Sequence, residues 1–293
     1  MKGELFYGVG TALVTPFSDG EIDYVALERL IERQIEAKVG AIVIGGTTGE
    51  AATLHRSERG ELYKRAGDII GGRTKLILGT GSNSTREATE RTREAERIGC
   101  DGVLIVTPYY NKGTVEGVYQ HYKTIANSTD LPIILYNVPS RTGVNMPIAT
   151  VRRLAEIENI VGIKEAAQDP ERLRQLKRIN GLKLYTGCDQ ESVEVLKMGG
   201  DGTISVISNL CPAYMTRMTE LCASGRLGEA EEMMRRITPL IDAMFIETNP
   251  APIKHALAYV GLCKEEMRLP MAEVEAASAG VIEEMLLGLS DII

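Results

Sequence analysis

Short apolar runs rich in β-branched residues recur every 20 to 30 residues along this chain, separated by charged stretches with helical periodicity. Eight runs can be counted: Gly8 to Val14, Ala41 to Gly45, Lys75 to Gly79, Gly102 to Val106, Ile133 to Tyr136, Ile160 to Lys164, Lys183 to Thr186 and Gly202 to Ser205. A strand buried on both faces reads as a continuous apolar run, and strands alternating with helices build parallel sheets. Eight such units over about 220 residues fit a closed (β/α)8 TIM barrel better than an open doubly wound sheet.

The intervening stretches carry helix signals. Asp23 is positioned as an N-cap, and Leu27, Leu30, Ile31 and Ile35 then trace one face at helical spacing. Ser84 with Glu87 three residues on has the pattern of a capping box, which leaves Gly79 to Asn83 as a strand-to-helix loop. Beyond the eighth run, residues 212 to 290 show only helical patterns, with Pro212, Pro239, Pro250, Pro252 and Pro270 expected as breaks. The expected organisation is a catalytic barrel over residues 1–224 and a C-terminal helical extension over 225–293.

Composition narrows the function. The net charge is -7 without a basic block, so nothing in the chain suits a phosphate backbone and nucleic acid is not an expected partner. No run approaches the length of a membrane span, and Met1 to Gly8 lacks the basic-then-apolar pattern of a secretory signal, so a cytoplasmic location is expected. The five cysteines (Cys100, Cys188, Cys211, Cys222 and Cys263) are scattered and odd in number, and the three histidines show no ligand spacing. Reduced thiols and no metal are expected.

Active sites of such barrels lie at the C-terminal ends of the strands. There the sequence offers Gly45-Gly46-Thr47-Thr48-Gly49-Glu50, Thr107-Pro108-Tyr109-Tyr110-Asn111-Lys112, Tyr136-Asn137-Val138-Pro139-Ser140-Arg141-Thr142-Gly143, and Lys164-Glu165. Lys164 ends a buried run, so its amine can point into the barrel mouth, where desolvation favours the neutral, nucleophilic form. Pairing with Glu165 would instead leave it an ordinary strand-end lysine. Tyr136, with a hydroxyl such as Thr47 and a second phenol such as Tyr110, has the chemistry of the proton relay that Schiff-base formation requires. The Gly45 to Gly49 loop lacks the lysine and spacing of a nucleotide-binding loop, but its amides and hydroxyls suit a small carboxylate. Arg141 offers bidentate pairing to another.

GGTTGE, TPYYNK, YNVPSRTG, GIKEA and GTISV, in this order and spacing, resemble the dihydrodipicolinate synthase branch of the pyruvate aldolase superfamily, and NPAPIKHAL and RLPM extend the likeness towards the C-terminus. The resemblance implies that pyruvate condenses with Lys164 and that the enamine attacks the aldehyde of L-aspartate 4-semialdehyde, committing carbon to diaminopimelate and lysine, with no cofactor. It implies a relay of Thr47, Tyr110 and Tyr136, with Tyr136 as proton donor. Thr48, Gly187 and Ile204 would contact pyruvate, and Arg141 the semialdehyde carboxylate. It also implies a homotetramer of tight dimers in which Tyr110 enters the neighbouring subunit's site.

Two departures from the family pattern stand out. Gly187-Cys188-Asp189 replaces a doubly acidic or Asn-Asp sequence after the glycine. At the positions of the family's lysine-inhibition site, Ala52, Asn83, Glu87 and Tyr109 match, but Arg56 and Arg59 replace histidines, so weak or absent inhibition by L-lysine is expected. Competing readings are a sister aldolase for a 2-keto-3-deoxy sugar acid or N-acetylneuraminate, against which Arg141 and the Tyr109-Tyr110 pair argue, and a non-catalytic keto-acid sensor, against which Lys164 and Tyr136 argue.

Overall fold

The computed structural model describes residues 5–293; Met1 to Glu4, part of the N-terminal stretch read above, lie outside the described residues. Eight parallel strands close into a barrel: β1 (Gly8–Ala12), β4 (Ala41–Ile44), β5 (Lys75–Gly79), β6 (Gly102–Val106), β7 (Ile133–Asn137), β8 (Ile160–Glu165), β9 (Lys183–Thr186) and β10 (Gly202–Ser205). A hairpin of β2 (Phe17–Ser18) and β3 (Glu21–Ile22) interrupts the first unit. The barrel strands run in sequence order around the ring, and β1 pairs with both β4 and β10 to shut it. This is the (β/α)8 barrel with C-terminal helices that the apolar runs predicted.

Boundaries differ in detail. β1 stops at Ala12 and β4 at Ile44, short of Val14 and Gly45, because the backbone turns away there; Gly45 has φ +69°, and a Cβ on it would run into the Tyr63 hydroxyl. β7 and β8 continue to Asn137 and Glu165, which pair across the ladder. The hairpin turns on Asp19 and Gly20, both at positive φ, the geometry of a two-residue primed turn.

Each strand sends alternate side chains to two cores. Inside the barrel, Ala12, Val43, Ile77, Leu104, Ile134, Tyr185 and Ile204 pack together, and Phe6 stacks on Tyr185 at a centroid distance of 4.4 Å to plug the lumen from below. On the outside the strands face amphipathic helices. Asp23 caps the helix Tyr24–Glu36 through Val25 and Ala26 N–H groups, and Leu27, Leu30 and Ile31 are buried against the barrel. Fully burying each of these side chains contributes about 1.5–3 kcal/mol.

Two helix expectations are corrected. Ser84 Oγ accepts from Glu87 N–H, but the Glu87 carboxylate turns to Arg91, so the capping box is half made; a complete one forms at His55 and Glu58. Pro239 does not break its helix but sits inside Leu227–Ala243. Burial of Ile237, Leu240 and Ile241 holds the helix together there, while Arg235, whose carbonyl loses its donor to the proline ring, lies on the exposed side. Helices Pro212–Ala223, Ala251–Tyr259 and Ala276–Gly288 complete the C-terminal part. Among the described residues no helix is long and apolar enough to cross a membrane.

Candidate active site

At the C-terminal mouth of the barrel lies a cavity of about 400 Å³ lined by Thr47, Tyr109, Tyr136, Arg141 and Asn249, among others. A larger surface hollow of about 820 Å³ lies by Thr129, Pro132 and Asn159, at the opposite ends of β7 and β8 and away from the lysine. Open volume there does not outweigh chemistry, and the mouth cavity is where Thr47, Tyr136 and Arg141 come together.

Lys164 and Tyr136 are register partners on neighbouring strands. Both are buried, Lys164 to 5 % exposure, and Lys164 Nζ sits 4.3 Å from the centre of the Tyr136 ring. The amine therefore lies in cation–π contact with the phenol ring, and Tyr136 itself lines the cavity. Glu165 is not the partner of Lys164. Its carboxylate faces the other way, to Arg172 Nε at 2.7 Å, and also accepts from Asn137 and from the Ala166 and Ala167 amides. The alternation of a strand explains this, since consecutive side chains point to opposite faces.

Gly187 lies against the lysine stem. A Cβ there would stand 2.7 Å from Lys164 Cε and 3.0 Å from Ala166 Cβ, so only glycine leaves the amine room. The next residue, Cys188, is a half-buried thiol that desolvation pushes up to about 12, so it stays protonated near neutrality and is a poor nucleophile. Asp189, which the sequence reading did not assign, is fully buried; it accepts from the Val206 and Ile207 amides at 3.0 Å and so fixes the chain just after Ile204. Burial raises its carboxyl, and a hydrogen bond from Ser205, those amides and the Lys164 charge oppose the rise.

Thr48 is buried, and its hydroxyl accepts from Asn249 Nδ2 at 3.1 Å. Arg141, on the short helical turn Pro139–Thr142, donates to the Asn249 carbonyl at 2.9 Å. Asn249 thus ties the two strand-end loops together from the C-terminal extension, and Pro250, Pro270 and Met271 complete that wall. NPAPIKHAL and RLPM, marks of family likeness in the sequence, thus also supply residues of the cavity wall. Ile204 is buried in the barrel lumen.

Tyr110 stands apart. It is 88 % exposed, with φ +69°, and does not line the cavity of its own chain. Tyr109 and Ala52 do line it. Nearby, Arg91 Nε lies 2.8 Å from Glu87 and Arg59 Nη2 3.9 Å from the same carboxylate, while Arg56 pairs with Glu90 at 3.6 Å. Asn83 receives the Asn111 side chain on its carbonyl.

The sequence pattern of the Dihydrodipicolinate synthetase family matches residues 5–286. The chain belongs to this family. It is 44% identical over 291 residues to a 4-hydroxy-tetrahydrodipicolinate synthase of Thermotoga neapolitana, an alignment covering 96% of this chain and 98% of that one. Among solved structures, a dihydrodipicolinate synthase from Thermotoga maritima superposes with a TM-score of 0.96 at 41% identity, covering 99% of this chain and 100% of that one. A dihydrodipicolinate synthase variant described as monomeric matches with the same score and identity, over 99% of this chain and 98% of its own.

Proposed function

We infer that Lys164 is the Schiff-base nucleophile of this chain. The activity goes with the family: the chain condenses pyruvate with L-aspartate 4-semialdehyde to give 4-hydroxy-tetrahydrodipicolinate, the committed step of diaminopimelate and lysine biosynthesis. The amine attacks the pyruvate ketone, the carbinolamine loses water, and a proton leaves the methyl carbon to give an enamine. The enamine carbon bonds to the aldehyde, and the semialdehyde's own amine then displaces Lys164 as the ring closes. The observation that carries this reading is a buried lysine, Lys164, whose Nζ lies 4.3 Å from the centre of the Tyr136 ring, with Tyr136 lining the mouth cavity.

In this reading Tyr136 gives and takes the protons, with Thr47 and the Tyr110 of a second copy completing the relay. Thr48, Gly187 and Ile204 surround pyruvate, and Arg141 takes the semialdehyde carboxylate. The exposure of Tyr110 supports a role in a neighbouring subunit, and with it a homotetramer of tight dimers working in the cytoplasm. The barrel would end at residue 224 and the helical extension begin at 225. Arg141 in the mouth favours the dicarboxylic adduct over the sugar-acid substrates of sister aldolases.

Sodium borohydride added to protein and pyruvate tests the nucleophile. A pyruvate-derived mass on the peptide carrying Lys164 is expected, and none when Lys164→Ala is treated alike. An adduct on another lysine would remove Lys164 from its role.

Ala52, Asn83, Glu87 and Tyr109 mark where relatives are regulated by L-lysine, but here two guanidiniums already approach the Glu87 carboxylate. A further cation about 4 Å from an arginine costs ~1 kcal/mol even in water, and more in a partly buried site. Activity is therefore expected to be unchanged by millimolar L-lysine, and a sigmoidal or saturating inhibition curve in that range would contradict it.

A further inference from the structure

The loop that carries Thr47 and Thr48 ends at Glu50, which adopts the left-handed conformation at φ +51°. For a residue with a side chain this is costly unless the surroundings impose it. They do so here through a buried ion pair across the whole chain: Glu50 Oε1 lies 2.5 Å from Lys254 Nζ, with side-chain exposures of 1% and 0%. The other carboxylate oxygen accepts from Arg268 N–H, and Lys254 donates to the Glu266 carbonyl at 2.8 Å. Lys254 and Arg268 both stack on the Phe17 ring of the hairpin, at 4.3 and 4.5 Å.

We propose that Glu50 and Lys254 are positioning residues: the pair locks the left-handed end of the Thr47-to-Glu50 turn to the helix Ala251–Tyr259, and so fixes where the two threonine hydroxyls stand. One general consideration and two observations make the pair more than a fastener. Removing both charges and packing apolar groups instead is often neutral for stability, so burial of the pair is not explained by stability alone. Glu50 N–H donates to the Thr47 carbonyl, closing the turn on the residue it positions. The helix bearing Lys254 also begins just after Asn249, whose side chain donates to Thr48 and whose carbonyl receives Arg141. A shift of this helix would therefore move groups assigned to both substrates.

The inference rests on the reading above in which Thr48 contacts pyruvate and Thr47 serves the proton relay. Its test uses the full chain and compares Glu50→Asp, the double variant Glu50→Gln with Lys254→Met, and Thr48→Val, each by melting temperature, pyruvate KM and kcat. Glu50→Asp keeps the charge and withdraws it by one methylene, and is expected to raise pyruvate KM about tenfold, as small misplacements of binding groups do. The double variant is expected to melt close to the native chain yet keep the raised KM. A purely structural pair would instead let KM recover together with the melting temperature, and that result overturns the proposal, as does a native KM in Glu50→Asp. Should the double variant fail to fold, Glu50→Asp decides alone. A raised KM in Thr48→Val with a native one in Glu50→Asp defeats the positioning role only. A native KM in Thr48→Val defeats the assignment of Thr48 and this inference with it.

Discussion

Lys164→Ala is expected to lower kcat/KM for the condensation by about five orders of magnitude, while leaving the melting temperature within about 5 °C of the native chain. The loss is large because covalent catalysis has no fallback: without an amine at this point pyruvate never becomes an enamine, and the remaining groups bind it without activating it. The fold should tolerate the change because Lys164 Nζ is buried against a ring rather than held by the neighbouring Glu165 carboxylate, which pairs with Arg172. Asp189, the buried acid that feels the Lys164 charge, keeps its hydrogen bonds from Ser205 and from the Val206 and Ile207 amides, whereas Glu50 would lose its ion pair with the loss of Lys254. Lys112, also near the mouth loops, is the natural control. It is exposed, with its stem against Gly143, and Lys112→Ala should change kcat/KM by less than about threefold. Steady-state rates on pyruvate and the semialdehyde measure both, and a Lys164→Ala chain retaining a hundredth of the native rate would move the chemistry elsewhere.

The barrel was legible in the sequence because a parallel strand covered on both faces must be apolar throughout, and eight such runs leave few other architectures. The reactive loops were legible for a related reason. Once Lys164 is placed at the end of one strand, the polar residues closing neighbouring strands must share its mouth. What escaped was whatever depends on partners far away in sequence. Lys254 lies on a helix and reads as a solvated charge; only the folded chain brings it to Glu50 and makes the helix part of the site wall. Asn249 is hidden in the same way, since its value is the distance to Thr48 and Arg141. The alternative of Glu165 as a partner for Lys164 fails because adjacency in a strand means opposite faces, and the partner of Glu165, Arg172, lies on the next helix.

Local signals failed where tertiary packing outvoted them. Pro239 stands in a helix whose buried side chains hold it together, and Glu87 answers to Arg91 rather than to the helix cap. The hairpin of β2 and β3 went unread in the sequence: Asp19-Gly20 is a pair that favours a tight primed turn, but its two-residue strands are too short to show alternation. That small hairpin still bears on the site, because it supplies the Phe17 ring under Lys254 and Arg268.

Tyr136→Phe separates the two uses of this residue. The ring that holds the Lys164 ammonium at 4.3 Å stays, and only the hydroxyl goes, so the amine should keep its place and its burial. Proton transfer by a positioned side chain contributes 10²–10⁴-fold, and three steps of this reaction move protons beside the Schiff base, so kcat is expected to fall by about 10³. Binding of pyruvate should change little, because the groups assigned to its carboxylate are untouched. Borohydride should still trap the adduct on Lys164, more slowly than in the native chain, since carbinolamine dehydration loses its acid but not its nucleophile. A kcat within tenfold of native would mean that the phenol serves as a platform for the lysine alone, and that the donor is another group or a water in the mouth. Complete loss of trapping would mean the reverse: that the hydroxyl, and not only the ring, is required to bring Lys164 and pyruvate together.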